Sequence, residues 1–384
     1  LLAACSGGNN ENPNNNQGSG NPGGNTEEPS DPSAYEDNEA TLTVYGHMWN
    51  GDWEKYYKPF LEDRFPNYDF EFISAYDETA GLTVEELITT GTEIDLYQGA
   101  VGVLQERFMP VELHTPMNDL MEKHGIDPNA FIPQFLKGGM EDGNYYMLPV
   151  SNSNFVMYYN KAIFDRFGVD YPVDGMTWDE AIALSAELTR NDDKQYIGLW
   201  YSPAHILRAN QKSLGFVDPE TNEPLLDSDG WNDFVTTLFQ RPYTDPGVQD
   251  RAKTKFFGHD DFRNDEVVGM YVYTTGWLTE SQNLPPNWDV VSVPTFDGDG
   301  IGPQPLAKYW GLASTSKHKD EAMRVIKYLT GEEYQTHWSK EGDMSVLQSQ
   351  EVQDTLYENL QDVLGDKNIE GAIFTNEYAE QRDV

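Results

Sequence analysis

TLTVYGHMWNGDWEKYYKPFLEDRFPNYDFEFIS, residues 41–74, reads as strand, helix, strand. Thr41 to Tyr45 alternates β-forming residues, the period-two mark of a strand with one buried face. Asp52 to Arg64 is long enough for a helix and is closed by Phe65-Pro66-Asn67, because proline cannot continue the backbone ladder. Asp69 to Ile73 alternates again. Working outward, Thr83 to Thr90 predicts a short helix and Glu93 to Tyr97 a third strand. Strands that alternate with helices indicate an α/β sheet, largely parallel.

The pattern continues downstream. Phe155 to Tyr159 is a continuous apolar run, as expected of a strand buried on both faces. Thr177-Trp178-Asp179-Glu180 has the form of a capping box, followed by Ala181, Leu184 and Leu188 on one helical face. Val267 to Tyr273 predicts a central strand, and Ser316 to Leu329 a helix with Ala322, Val325, Ile326 and Leu329 at 3.6 spacing. No repeat of about 20–50 residues is present. At 384 residues the chain is too long for one domain of ordinary size, so two are expected.

Composition narrows the function. Twenty-five basic against 65 acidic residues give a net charge of −40. Such a field repels nucleic acid and anionic membrane surfaces, so no nucleic-acid partner is expected. A solvated acidic surface accounts for the charge; a cationic solute such as a polyamine is the alternative. No run of about 18 apolar residues offers a membrane-spanning helix. A single cysteine allows no internal disulfide. CxxC, HExxH and Cys/His clusters are missing, so neither metal nor cofactor is expected. Asp227-Ser228-Asp229-Gly230 lacks the closing glutamate of a calcium loop and reads as a turn with a helix N-cap. Neither a P-loop nor a GxSxG or SxxK nucleophile occurs. A glycoside hydrolase needs only two facing carboxylates, so a lipid-anchored carbohydrate-active enzyme stays open as an alternative. A passive adhesin would show repeats, which are not seen.

The first residues are of another kind. Leu1-Leu2-Ala3-Ala4-Cys5 resembles the lipobox of bacterial lipoproteins, in which the cysteine after the cleavage point carries acyl chains. Cys5 is therefore expected to be lipidated. Several chains are needed, since each buried CH₂ contributes only about 0.8 kcal/mol. The missing Met and basic leader indicate a chain cropped at its start. Ser6 to Asn38 is rich in Asn, Gly, Pro, Ser and Glu and too poor in apolar residues to fold. As a flexible coil it would reach roughly 30 Å, a tether between membrane and folded body.

Several segments occur in one order. Tyr146-Met147-Leu148-Pro149 precedes Tyr158-Tyr159-Asn160-Lys161; Phe164, Gly168 and Pro172 lead to Met176-Thr177-Trp178-Asp179-Glu180. Val267-Val268-Gly269-Met270 is followed by Gly276-Trp277, and Gly311-Leu312-Ala313-Ser314-Thr315-Ser316-Lys317 by Asp320-Glu321-Ala322. Over roughly residues 39–347 this order resembles the extracellular solute-binding proteins of bacterial ABC importers, in the sugar-binding class that includes maltose-binding protein. The resemblance implies a two-lobed periplasmic-binding-protein type II fold with a hinge and an interlobe cleft. It implies a tether over 1–38, a first lobe of 39–150 plus 311–347 and a second of 151–310 plus 348–384, with the first crossing near Val150-Ser151-Asn152. It also implies a monomer without catalytic residues that binds a carbohydrate, expected to be an oligosaccharide, and hands it to ABC permease subunits. Its place would be the outer face of the cell membrane, held there by the lipid alone, as suits a Gram-positive cell. The family continues beyond the region of Phe374 with further helices, so a cropped C-terminus is expected too.

In open α/β sheets ligands sit beyond the carboxyl ends of the strands. That rule selects Trp49 and Asn50 after the first strand, Tyr76 and Asp77 after the second, and Gln98 at the end of the third. It also selects Ser153 and Asn154 at the first crossing, Trp200 and His205, Trp277, and Trp310 at the second crossing. Aromatic rings can stack on the C–H face of a sugar while neutral amides, hydroxyls and carboxylates take its hydroxyls. Trp277 resembles the ring-stacking tryptophan of that family's second lobe. Each tryptophan also has a packing reading, because most tryptophans are buried in cores.

Overall fold

The computed structural model describes residues 39–76, 83–100, 102–218, 221–253, 255 and 258–381. Cys5, the 1–38 tether and Asp77 lie outside them. Two mixed five-stranded sheets, each covered by helices, form two lobes. Their strands are β1 (Ala40–Gly46), β2 (Tyr68–Ser74), β3 (Leu96–Ala100), β4 (Met147–Ser153), β5 (Phe155–Asn160), β6 (Arg190–Asn191), β7 (Gln195–Tyr201), β8 (Val268–Thr274), β9 (Trp288–Ser292) and β10 (Leu306–Leu312). The first sheet has the order β2-β1-β3-β10-β4, the second β9-β5-β8-β7-β6.

Alternation along the strands explains the layers. Leu42 and Val44 of β1 enter one core of the first lobe, and Tyr45 enters the other. On β5, Phe155, Met157 and Tyr159 face one core of the second lobe while Val156 and Tyr158 face its other. Full burial of such a side chain stabilises by about 1.5–3 kcal/mol, and β5 is buried along its whole length.

The sheets are not largely parallel, as the alternation of elements predicts. β1 pairs parallel with β2 and β3, and β8 with β7, but β10 runs antiparallel to both β3 and β4, and β5 antiparallel to β8 and β9. The reason is connectivity. A helix crossover returns a strand in the same direction, whereas β4 and β10 are the ends of passages between the lobes. β4 leaves the first sheet at Ser153 and β5 begins at Phe155; β10 enters at Leu306, directly opposite Ser153. The backbone of Met344 bridges to Asn152 at the same place.

Local signals hold at several ends. Thr177 and Thr83 each close a capping box, with Glu180 and Glu86, and Ser228 caps the helix Asp229–Val235. The third strand begins later than its alternation predicts. Asp95 keeps backbone bonds to Thr43 and Ala313, but its carboxylate accepts the backbone N–H of Thr43 at 2.9 Å and the hydroxyl of Ser316 at 2.6 Å, and the regular strand begins at Leu96. Ser316 is thereby taken up in a loop, and the helix predicted from it starts at Lys319. No helix among the described residues is long and apolar enough to cross a membrane.

Candidate functional site

A cavity of about 420 Å³ opens beside the passages between the lobes, within the size range of small-molecule sites. One wall comes from the first lobe: Lys55 and Tyr56, Lys308 of β10, Trp338 in the last turn of the helix Glu332–Lys340, and Glu341 to Asp343 after it. The opposite wall comes from the second lobe: His259, Arg263, and the end of β8 running through Tyr273 into Trp277. Ser153 lies between them. Lys55 and Tyr56 belong to a π-helical turn, Trp53–Tyr57, a winding that recurs at functional sites.

Trp277 is only 3% exposed. The rings of Tyr158, Tyr271, Tyr273 and His259 surround it at centroid distances of 4.7–5.2 Å. The Arg263 guanidinium lies 4.3 Å over its ring and pairs with Glu280 at 3.1 Å. Trp277 thus backs the cavity and anchors its neighbours. The half-buried Tyr273 stands in front, edge-on to His205 at 5.0 Å and to His259 at 4.5 Å. Burial pulls the pKa of both histidines down, so both are neutral near pH 7. His205 also shares a 2.7 Å hydrogen bond with Ser202.

Trp49 and Tyr76 form a separate aromatic pair beyond β1 and β2. They are 61% and 41% exposed, with ring centroids 5.1 Å apart. Asn50, exposed, opens the adjoining helical turn. Beneath them His47 touches Tyr45, Tyr76 and Phe108 edge-on. Burial, with a smaller contribution from Arg107, lowers its pKa to about 4.

Four other sequence candidates are interior residues. Trp200 is 1% exposed and stacks on Tyr201; Trp310 is fully buried among Trp53 and Tyr57. A ring without exposed surface has no face to offer a ligand in this conformation. Asn154 is spent on the backbone: its side chain bonds Ile373 and Phe155, and its own N–H reaches Thr275. Gln98 is buried opposite Trp310, and its Oε1 has no hydrogen-bond partner among the described residues. The cavity therefore gathers Ser153 and Trp277, and His205 through Tyr273, but not the other candidates among the described residues.

Sequence reasoning passed over Tyr56, Tyr273, Trp338 and Asp343. Tyr273 had a usable signal, as the last aromatic of an apolar strand at its carboxyl end. Trp338 and Asp343 had none, because their place depends on how a late helix returns to the hinge. A larger groove of about 690 Å³ lies elsewhere, lined only by residues between Gln350 and Phe374. Lobe closure over the hinge would not enclose a ligand there between the two sheets.

The model of a family described as bacterial extracellular solute-binding protein matches residues 50–336. A binding protein of Brucella abortus is 23% identical over 254 residues, which cover 61% of this chain and 58% of that protein. The chain thus spans little more than half the length of this curated relative. An ABC substrate-binding protein from Listeria monocytogenes in complex with cycloalternan superposes with a TM-score of 0.68 at 18% identity, over 84% of this chain and 87% of that one. A sugar transporter protein from Rhizobium etli in an open conformation gives 0.63 at 22% identity, over 89% and 88%.

Proposed function

The chain belongs to the bacterial extracellular solute-binding proteins, and from that premise we propose that it captures a carbohydrate between its lobes and delivers it to an ABC importer. The observation that carries this reading is the cavity of about 420 Å³ walled by aromatic and hydrogen-bonding side chains from both lobes. Rings of Tyr56, Tyr273 and Trp338 suit the C–H faces of a sugar, and Ser153, Asp343 and Glu341 suit its hydroxyls. A similar fold in complex with cycloalternan and the similar fold of a sugar transporter protein support the ligand class.

In this reading the protein performs no covalent chemistry. A ligand that touches both walls favours the closed arrangement by its differential affinity for that state. The hinge passes through Ser153, Leu306 and Met344, with lobes of 39–150 plus 311–347 and 151–310 plus 348–384. Trp277 supports the site from behind, and Trp49 with Tyr76 extends it on the first lobe. Cys5 carries the lipid, and the acidic body works outside the cytoplasmic membrane of a Gram-positive cell as a monomer.

Thermal unfolding of the full chain against mono-, di- and oligosaccharides and polyamines tests the proposal. A ligand at 100 times its dissociation constant adds about 2.7 kcal/mol of stability. A midpoint rise with a saccharide, and the saccharide recovered intact after incubation, is the expected result. A rise with polyamines alone overturns the carbohydrate assignment, and cleaved saccharide overturns the receptor role.

A further inference from the structure

The protein has 65 acidic and 25 basic residues, yet the cleft is lined by Lys55, Lys308 and Arg263 as well as Glu280, Glu341 and Asp343. Half of these charges are already answered. Arg263 pairs with Glu280, and Glu341 accepts a 2.6 Å hydrogen bond from Asn359. Lys55, Lys308 and Asp343 remain.

The two lysines converge on one ring. Lys55 Nζ lies 4.5 Å and Lys308 Nζ 5.7 Å from the centroid of Tyr56. Lys55 donates to the Tyr56 hydroxyl at 3.0 Å. Neither lysine has a carboxylate within 4.0 Å among the described residues. Their neighbours differ: Lys58 pairs with Glu54 at 3.0 Å, and Lys340 with Glu358 at 3.0 Å. Burial pulls Lys308 down, but the fields of Tyr57, Asp343 and Asp52 hold it above the usual lysine value, so it stays charged. Burial pushes the Asp343 carboxyl up against the fields of Lys308 and Lys55, which pull it down. Asp343 and Asp52 favour the Lys308 ammonium from a distance, but among the described residues no hydrogen-bond acceptor takes it. A ligand anion placed there would add charge-assisted hydrogen bonds.

We propose that the cleft selects an acidic saccharide, a uronic-acid-containing oligosaccharide whose carboxylate lies between Lys55 and Lys308. This rests on the saccharide reading of the cleft. The net charge of −40 does not oppose it, because exposed charges farther than about 8 Å are largely screened at physiological salt.

Calorimetric titration of the full chain with a digalacturonide and with the neutral galactobiose of the same linkage tests the inference, with diglucuronide against its neutral glucose counterpart as a second pair. At least one diuronide is expected to bind 30-fold or more tightly than its neutral partner. Lys55→Gln, a change at an exposed position, and Lys308→Gln are each expected to weaken diuronide binding at least tenfold more than they weaken binding of the neutral partner. If Lys308→Gln does not fold, Lys55→Gln alone carries the test. Equal or tighter binding of the neutral partners overturns the acidic selectivity and leaves the carbohydrate function standing. Diuronide binding that survives Lys55→Gln unchanged removes the lysine assignment. A folded protein that binds no saccharide of either kind overturns the functional reading together with this inference.

Discussion

Replacing Trp277 with alanine separates a packing residue from a ligand platform. The ring is 3% exposed and enclosed by four aromatic neighbours. Removing a buried tryptophan costs about 3–5 kcal/mol, because the lost transfer energy is joined by an unfilled cavity. Arg263 loses the ring beneath its guanidinium, a contact of about 0.5–2 kcal/mol, though Glu280 still holds its charge. The expected loss is therefore about 3–5 kcal/mol of stability, with weaker ligand binding as a consequence of a loosened Tyr273. Equilibrium urea unfolding followed by far-ultraviolet circular dichroism reads the first quantity, and calorimetry well below the unfolding midpoint reads the second. A variant that loses under about 1 kcal/mol, the centre of ordinary substitutions, while its affinity drops more than tenfold would refute the reasoning. In that case the ring meets the ligand directly and its enclosure here belongs to one conformation.

Three further outcomes follow from named contacts. Asp95→Ala strands the Thr43 amide and the Ser316 hydroxyl and is expected to cost about 3–6 kcal/mol, since hydrogen bonds to charged groups contribute about 1.5–3 kcal/mol each; a urea midpoint within error of wild type refutes it. Thr177→Ala opens a capping box and should cost about 1 kcal/mol, with a change under 0.3 kcal/mol counting against the cap. His47 has its pKa lowered from 6.5 to about 4, by burial first and Arg107 second. The unfolded chain therefore binds the proton that the folded chain refuses, and this histidine's contribution falls as pH drops from 6.5 toward 4. Urea midpoints across that window should decline less steeply for His47→Gln than for wild type, and parallel profiles refute the assignment.

The parts of the fold legible in the sequence are those whose causes are local. Alternation from Thr41 to Tyr45, the apolar run at Phe155, and the threonine-to-glutamate boxes at Thr177 and Thr83 each act within a few residues. Asp95 was not legible as the end of a strand, because its partners Thr43 and Ser316 are 52 and 221 residues away in sequence. The same distinction governs the site. The rule that ligands gather at the carboxyl ends of strands selects the end of β8 that lines the cavity, but it does not tell Trp277 from Tyr273. Which ring is enclosed depends on His259, Phe262 and Arg263, from the helix His259–Arg263, which the sequence reading does not include. Trp200 and Trp310 illustrate the same limit: residue type and strand position suit a ligand, while packing partners from other elements occupy the rings.

The position of the cavity relative to the hinge decides what binding can accomplish. The strand ends at Ser153 and Leu306 and the bridge of Met344 to Asn152 lie side by side, so any relative motion of the lobes would be concentrated in a short span of backbone. That span is braced from the second lobe by the Asn154 amide on Ile373 and the Thr275 hydroxyl on Asn154, and Asn152 donates to Tyr378 at 3.0 Å. A ligand bound near such a pivot moves little itself, but it can contact both walls at once. Only contacts that differ between open and closed arrangements shift that equilibrium. Tyr273 and Trp277 belong to one wall, and Tyr56, Lys308 and Trp338 to the other. A solute held by one set alone would bind without closing the lobes. In the proposed role, recognition and signalling to a permease would therefore depend on a ligand long or polar enough to engage both, and a saccharide with rings for one wall and a charged group for the other would meet that requirement.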